Sequence, residues 1–277
     1  MMCAWNELLA ILPPRLRREV DDLGRDNLQE LRLRVNGPPE LVLSGKSVWL
    51  GRKTGLEDLI YCVNAASKYS PWAASTAAQG YITAPGGHRI GLCGEAVCKN
   101  GELTGIRKVT SLCIRVARDF PGIGEKAKDI YGSVLILGAP GWGKTTLLRD
   151  LIRQLSDRGE HIAVVDERGE LFPGNHFPQG KRTDILTGCG KAEGIHMVLR
   201  TMGPSCIAVD EITEEADCQG MVQAFGCGVR LIATAHASSL EDFRSRPVYA
   251  PLQRLEIFDT ALILCPDKSW RRERMNR

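Results

Sequence analysis

The sequence has ten cysteines but no C-x-x-C pair. That absence removes the zinc knuckle and the thioredoxin-type redox site. Cys3, Cys62, Cys93, Cys98, Cys113, Cys189, Cys206, Cys218, Cys227 and Cys265 are scattered, and several, such as Cys113 and Cys206, lie in apolar runs as small hydrophobes. Reduced thiols in a cytosolic chain are the expectation. No apolar run approaches the roughly 18–20 residues that span a bilayer. The apolar stretch at 5–12 is short, contains Glu7 and runs into Pro13 and Pro14, so it does not read as a signal peptide. Aromatics are only 6% of the chain, few for platforms that stack on bases. A formal net charge of +3 is too small to imply nucleic acid by itself. No internal repeat or low-complexity segment stands out. The 277 residues suffice for two domains or one large one.

What is present centres on one stretch: Gly138, Ala139, Pro140, Gly141, Trp142, Gly143, Lys144, Thr145 and Thr146. An apolar run at 133–137 precedes it and a helical pattern follows, giving the order strand, glycine-rich loop, helix. The stretch fits G-x-x-x-x-G-K-[ST], the phosphate-binding P-loop. Its glycines let the backbone curl so that successive N–H groups face phosphate oxygens. Lys144 reaches the β- and γ-phosphates, Thr145 offers a hydroxyl to Mg²⁺, and the helix N-terminus adds its positive end. Trp142 is bulky, but only its backbone faces phosphate in such a loop. The loop lacks the G-x-G-x-x-G order of a dinucleotide site. The stretch reads as a P-loop, with nucleotide binding the expectation.

Before the loop, periodicity predicts short helices at 5–12 and 15–23, then strands at 30–35, 40–43 and 46–50. A helix is expected at 55–69, with another opening at Ser70 and Pro71. A hairpin follows at 80–93 around Pro85, Gly86 and Gly87, with two further strands at 95–98 and 111–116. Residues 1–118 thus read as a smaller α+β domain, and 119–124, rich in glycine and proline, as a linker that permits rotation. From 125 to 277 strands and helices alternate. Strands are expected at 133–137, 161–165, 206–209, 231–234 and 256–264, with helices at 144–156, 191–202, 213–226 and from 238. That alternation predicts an α/β domain with a parallel sheet covered on both faces.

Ligands of open parallel sheets bind beyond the carboxyl ends of the strands, and besides the P-loop strand three strands here end in polar residues. One ends in Asp166, Glu167 and Arg168, another in Asp210 and Glu211, and a third in Thr234 and His236. The run from Cys206 to Glu211 has the form of a Walker B segment: Asp210 would hold the water shell of Mg²⁺ and Glu211 would orient and deprotonate water. Thr234 is a candidate sensor of the γ-phosphate, and His236 a partner for phosphate or a neighbouring carboxylate.

Taken together, Gly138 to Thr146, Asp166 to Arg168, Ala208 to Ile212 and Ala233 to Ala237 resemble the secretion-type (type II and type IV) ATPases of the RecA-like P-loop class. Those ATPases carry a Walker A motif, an acidic box, a Walker B motif and a histidine box in this order. Within that class, the stretches at 87–92, 111–117 and 200–204 resemble the stage III sporulation protein AA family. The likeness runs over about residues 5–265.

The resemblance implies an ATPase of endospore formation that uses ATP and Mg²⁺, with Thr145 and Asp210 at the metal. Glu211 would be catalytic, assisted by Glu167 and His236. It also implies a homo-oligomer, a ring hexamer, working in the mother-cell cytoplasm at the cytoplasmic face of a membrane-embedded sporulation complex. In the secretion-type relatives, arginines of the N-terminal domain reach the nucleotide. Arg89 and Arg115 are the candidates here, against a background of other arginines: Arg32 and Arg34 share one face of the strand at 30–35, and Arg107 and Arg118 lie among the later strands. A nucleic-acid-stimulated ATPase is the second reading, supported by the basic end at 270–277 and less favoured because aromatics are few. An ATP-binding scaffold with negligible turnover is the third.

Overall fold

A computed structural model describes residues 1–67, 80–99, 101–127, 129–173 and 176–275. The chain divides into two compact units, Met1–Asp119 and Phe120–Arg277.

In the first unit, period-two alternation decides which face is buried. Along β1 (Leu28–Arg34), Leu28, Leu31 and Leu33 are buried, while Glu30, Arg32 and Arg34 share the opposite face. β2 (Glu40–Leu43), β3 (Lys46–Trp49), β4 (Tyr81–Thr83), β5 (Arg89–Lys99) and β6 (Glu102–Arg115) complete an antiparallel sheet of order β3-β2-β1-β6-β5-β4. Three helices supply the other side of the core. These are α1 (Trp5–Ala10), α2 (Pro14–Gly24), which starts on a proline at its first turn, and α3 (Leu56–Ser67). Leu8, Leu16, Val20 and Leu59 meet Leu31, Leu33, Ile90 and Ile114 there.

Two sequence expectations change here. The strands expected at 95–98 and 111–116 are parts of the long β5–β6 ribbon, which stays continuous because a bulge between Cys93 and Glu95 absorbs the break in pattern. The helix expected from Ser70 and Pro71 lies outside the described residues.

The second unit carries a seven-stranded sheet. Its strands are β7 (Val134–Leu137), β8 (Ile162–Asp166), β9 (Thr183–Thr187), β10 (Cys206–Ile212), β11 (Arg230–Ala235), β12 (Thr260–Leu264) and β13 (Trp270–Arg274). The order is β13-β12-β7-β11-β10-β8-β9, parallel throughout except for the antiparallel β12–β13 pair. The helices are α4 (Lys144–Asp157), α5 (Lys191–Thr201), α6 (Glu215–Gly226), α7 (Leu240–Ser245) and α8 (Ala250–Arg254). Every residue of β7, β8 and β12 is buried, as a parallel sheet with two covered faces requires. β9 and β13 were not anticipated. Both are edge strands whose composition is mostly polar or charged, so no apolar alternation announces them.

All ten cysteines are free. Burial pushes the thiols of Cys62, Cys206 and Cys218 up to about 12, so they stay protonated and pack as apolar groups. Among the described residues, no helix is long and apolar enough to cross a membrane.

Asp150, on the buried face of α4, fixes the start of this unit. Its carboxylate accepts N–H bonds from Gly122 (3.0 Å) and Gly124 (2.7 Å) and pairs with Arg153 at 2.6 Å. Trp270 Nε1 donates to the Ile123 carbonyl at 3.2 Å. Within the segment expected as a linker, Gly122, Ile123 and Gly124 are bonded to the second unit. Asp150→Ala takes the carboxylate away from the buried Arg153, which keeps its bond to the Pro178 carbonyl, and from the two glycine amides together. It is expected to destabilise this unit by about 3–5 kcal/mol, read as a fall in the urea midpoint at unchanged slope. An unchanged midpoint would show that the carboxylate contributes nothing.

Candidate active site

β7 delivers the chain into the loop at Gly138, and α4 opens at Lys144. Gly141 and Gly143 have φ of +77° and +102°, values that side-chain-bearing residues rarely adopt, and Gly143 serves as the N-cap of α4. The first amides of a helix have no acceptor within it, so the curled loop and the α4 N-terminus together present donors to an anion. Lys144 is almost wholly buried. Its Nζ donates to Gly138 O (2.9 Å), Ala139 O (3.1 Å) and His236 Nδ1 (3.0 Å). Burial lowers its pKa, and the negative charges of Asp210 and Glu211 oppose that shift.

β10 pairs with β11 in register as far as Val209, then breaks register before Ile212. The break is a bulge at Asp210 and Glu211, and Glu211 takes a left-handed φ of +56°. Such a conformation is sparsely populated for a side-chain-bearing residue and persists only where its surroundings fix it. Thr234 on β11 does so. Its buried hydroxyl accepts the Glu211 N–H at 2.8 Å and donates to Asp210 Oδ1 at 2.6 Å. Thr145 donates to the other oxygen of Asp210 at 2.8 Å. Thr234, expected as a γ-phosphate sensor, thus has its hydroxyl committed to holding the two acids.

His236 follows β11 and reaches back to the bulge, with Nε2 donating to Glu211 Oε1 at 2.6 Å. Lys144 can only donate, so Nδ1 of His236 is the acceptor and Nε2 carries the hydrogen. Arg168 lies 3.5 Å from the other Glu211 oxygen. Burial pushes the Glu211 carboxyl up, but the His236 hydrogen bond and the charges of Arg168 and Lys144 outweigh it and hold the carboxyl below its usual range.

The acidic box divides its labour. Asp166 is buried and folded onto its own loop, accepting from the amides of Glu170 (3.0 Å) and Leu171 (2.8 Å). Burial, with Asp210 adding to it, pushes its carboxyl up to about 6 against the opposing backbone hydrogen bonds. Glu167 turns the other way and pairs at 2.6 Å with Lys191, a buried lysine at the start of α5. Lys191 also lies 3.5 Å from Asp217, at the start of α6. Asp166, Glu167, Arg168, Glu170, Lys191, Asp210 and Glu211 line a cleft of about 20 Å³, room for about one water molecule. Lys191 was not anticipated. Its two partners lie on other elements, and no local spacing in the sequence points to it.

The structure therefore brings Lys144, Thr145, Asp210, Glu211 and His236 into one bonded cluster at the carboxyl ends of β7, β11 and β10, with Glu167 on the wall of the cleft beyond. Arg89 and Arg115 belong to the first unit, directly opposite one another on β5 and β6. They line a cavity of about 220 Å³ with Gly80, Tyr81, Gly91 and Cys113. Arg89 lies 4.1 Å over the Tyr81 ring, and Arg115 is 3.5 Å from Glu30.

A bound Mg²⁺ suits the second unit's donors. Thr145 and Asp210 offer hard oxygens side by side, and Mg²⁺ favours one or two such ligands together with water and substrate phosphate. Among the described residues no group of three or more His, Cys, Asp or Glu is placed to hold a metal ion by itself.

The fold and this site define the class: a RecA-like P-loop fold shared with secretion ATPases. The Legionella pneumophila ATPase DotB aligns with TM-score 0.60 at 17% identity, over 93% of this chain and 78% of its own. The pilus retraction motor PilT, solved with bound ADP, aligns with TM-score 0.60 at 14% identity, over 90% of this chain and 76% of its own. The chain belongs to the family described as sporulation stage III, protein AA, whose profile matches residues 4–272. It is 35% identical to stage III sporulation protein AA of Bacillus subtilis (strain 168), over 94% of this chain and 90% of that protein.

The Thr234 clamp is testable. Thr234→Val leaves the Glu211 amide and one Asp210 oxygen without a partner, at a cost of about 1–3 kcal/mol. Turnover is expected to fall more than about tenfold with nucleotide binding retained, the scale of a misplaced catalytic group. Thr234→Ser, which keeps the hydroxyl, should restore both stability and turnover. Equal loss in the serine and valine variants would sink the clamp.

Proposed function

We propose that this chain is an ATP-binding, ATP-hydrolysing motor of a sporulation-associated, secretion-like membrane complex. It works as a ring hexamer from the mother-cell cytoplasm, peripheral to the membrane. The observation that carries the ATPase reading is the bonded convergence of Lys144, Thr145, Asp210 and Glu211 at one end of the parallel sheet. The family and the names of its relatives support the setting.

In this reading the amides of residues 138–146 and the Lys144 ammonium hold the phosphates. Thr145 and Asp210 hold Mg²⁺, which neutralises phosphate charge when bound. Glu211 accepts a proton from the attacking water, whose oxygen forms the new bond to the γ-phosphorus as ADP leaves. Glu167 and Lys191 line the far side of the cleft and order what enters it. The γ-phosphate charge that builds up in the transition state is met by an arginine, Arg89 or Arg115, supplied by a first unit.

The nucleic-acid reading loses ground on the first unit's basic strands. Arg32 pairs with Glu30 and Arg34 with Glu40, while Arg107 is bonded to Glu95, so these guanidiniums are already matched to carboxylates.

Steady-state hydrolysis by the purified chain, with and without single-stranded DNA, separates the readings. DNA-independent turnover is the expected result, and turnover only with DNA would favour the second reading. Binding without turnover would favour a scaffold. Two site variants sharpen the test. Lys144→Ala is expected to abolish ATP binding at sub-millimolar nucleotide with the circular dichroism spectrum unchanged. Glu211→Gln should keep binding and lose hydrolysis by about a hundredfold or more, the scale of a lost general base. Normal hydrolysis by Glu211→Gln, together with its loss in Glu167→Gln, would move the base to the acidic box.

The arginine assignment has its own signature. Arg89→Ala or Arg115→Ala should cut turnover by about tenfold or more while ADP affinity holds, because ADP has no γ-phosphate to lose. Mixing the affected variant with Lys144→Ala chains then distinguishes an arginine used within its own chain from one lent to another copy. If neither variant slows hydrolysis, these arginines have no part in it.

A further inference from the structure

An ammonium group has three N–H donors, and Lys144 commits all three: to Gly138 O, Ala139 O and His236 Nδ1. A phosphate that takes a hydrogen bond from Lys144 must displace one of these partners. Two of them belong to the loop itself, and the third leads outward. His236 carries the connection onward, because the nitrogen opposite the lysine donates to Glu211 at 2.6 Å. The imidazole is therefore a two-ended link, with an acceptor turned to the phosphate-binding lysine and a donor turned to the acid beside Asp210. Linked hydrogen bonds polarise one another, so the lysine charge on Nδ1 makes Nε2–H a stronger donor to the carboxylate.

We propose that His236 is a latch between the phosphate loop and Glu211: it competes with phosphate for Lys144, and its release on phosphate binding loosens the hold on Glu211. This rests on the P-loop reading above and adds to it a device that keeps Glu211 engaged until phosphate is in place. His236 is a positioning residue here, since it acts on substrate through Lys144 and Glu211. The strained backbone of Glu211 fits such a device. The Thr234 clamp fixes the main chain at φ +56°, so a change in what the side chain bonds need not disturb the fold around it.

The two ends of the imidazole can be separated by substitution. The glutamine amide reaches about as far as Nε2 and can donate to Glu211, but it leaves Nδ1 unreplaced. The shorter asparagine can place its carbonyl near Nδ1 and accept from Lys144, but it does not reach Glu211. The probe is ADP, which engages the P-loop without turnover, titrated against the full chain.

His236→Gln removes the competitor for Lys144 and is expected to tighten ADP binding about three- to tenfold, the range set by one hydrogen bond to a charged group. His236→Asn keeps that competitor and should bind ADP within about twofold of wild type. Both variants should lower kcat, so His236→Gln improves binding while impairing turnover, a split that a loss of structural support would not produce. Equal ADP affinities in the two variants, or weaker binding in both, would overturn the latch.

A measurement on the unaltered chain covers the case in which a variant fails to fold. On ADP addition, the ring ¹⁵N resonances of His236 should show Nδ1 shifting strongly with Nε2 still protonated. An unmoved Nδ1 in a chain that binds ADP would refute the proposal. A wild-type chain that binds no ADP would overturn the P-loop reading, and the latch with it.

Discussion

The site depends on one hydroxyl. Thr234 sits inside the sheet with no exposure to solvent, and its single oxygen accepts from the Glu211 amide while donating to Asp210. Without that pair of bonds β10 would have no reason to leave its register with β11, and a side-chain-bearing residue would not stay at positive φ. The bulge in turn brings to one site two adjacent acids that an unbroken strand would point to opposite faces. Asp210 meets Thr145 at the start of α4, and Glu211 meets His236. Strand order makes this possible, because β11 lies between β7 and β10 and so borders both the P-loop strand and the acidic strand.

Around that centre, charges are arranged so that few are left without a partner. Burying an unpaired ion is costly, yet Lys144, Asp166 and Lys191 are all buried. Lys144 meets two carbonyls and an imidazole, Asp166 meets two backbone amides, and Lys191 meets two carboxylates. Asp166 and Glu167 are neighbours in sequence with opposite tasks. One folds the irregular segment after β8, while the other remains in the cleft wall. Arg149 reinforces the first task from α4, donating to the carbonyls of Glu170 and Leu171 and lying 4.6 Å over the Phe177 ring. Asp166 and Arg149 thus hold the backbone just after β8, at Glu170 and Leu171, from both sides.

That contrast explains which features could be read in advance. The P-loop, its strand and its helix are contiguous, and their chemistry follows from local residue types, so Gly138 to Thr146 could be placed from sequence alone. The strands ending in Asp166, Asp210 and His236 were legible for the same reason: each is an apolar run with polar residues at its end. Their spatial order was not legible, because β7-β11-β10-β8 is set by packing between segments far apart in the chain. Edge strands β9 and β13 escaped notice since one or both of their faces meet solvent and few apolar residues mark them. Lys191 and the committed hydroxyl of Thr234 were invisible because a residue's role there is decided by partners 24 to 26 positions away, as with Lys191 to Glu167 and Asp217, or Thr234 to Asp210.

A phosphate-binding loop faces a conflict between its own folding and its ligand. Its donors must be available to an anion, yet buried donors without acceptors destabilise the chain. Here the lysine resolves the conflict by bonding the loop's own carbonyls, Gly138 and Ala139, which are weak enough competitors to be exchanged for a charged phosphate. Its third bond is of another kind, since it runs to a residue 92 positions away that also holds an acid. Self-satisfaction of the loop alone would need no such partner. Placing an imidazole there joins the filling of the loop to the state of the carboxylate, so the groups that bind phosphate and the group assigned to activate water form one hydrogen-bonded system rather than two neighbouring ones.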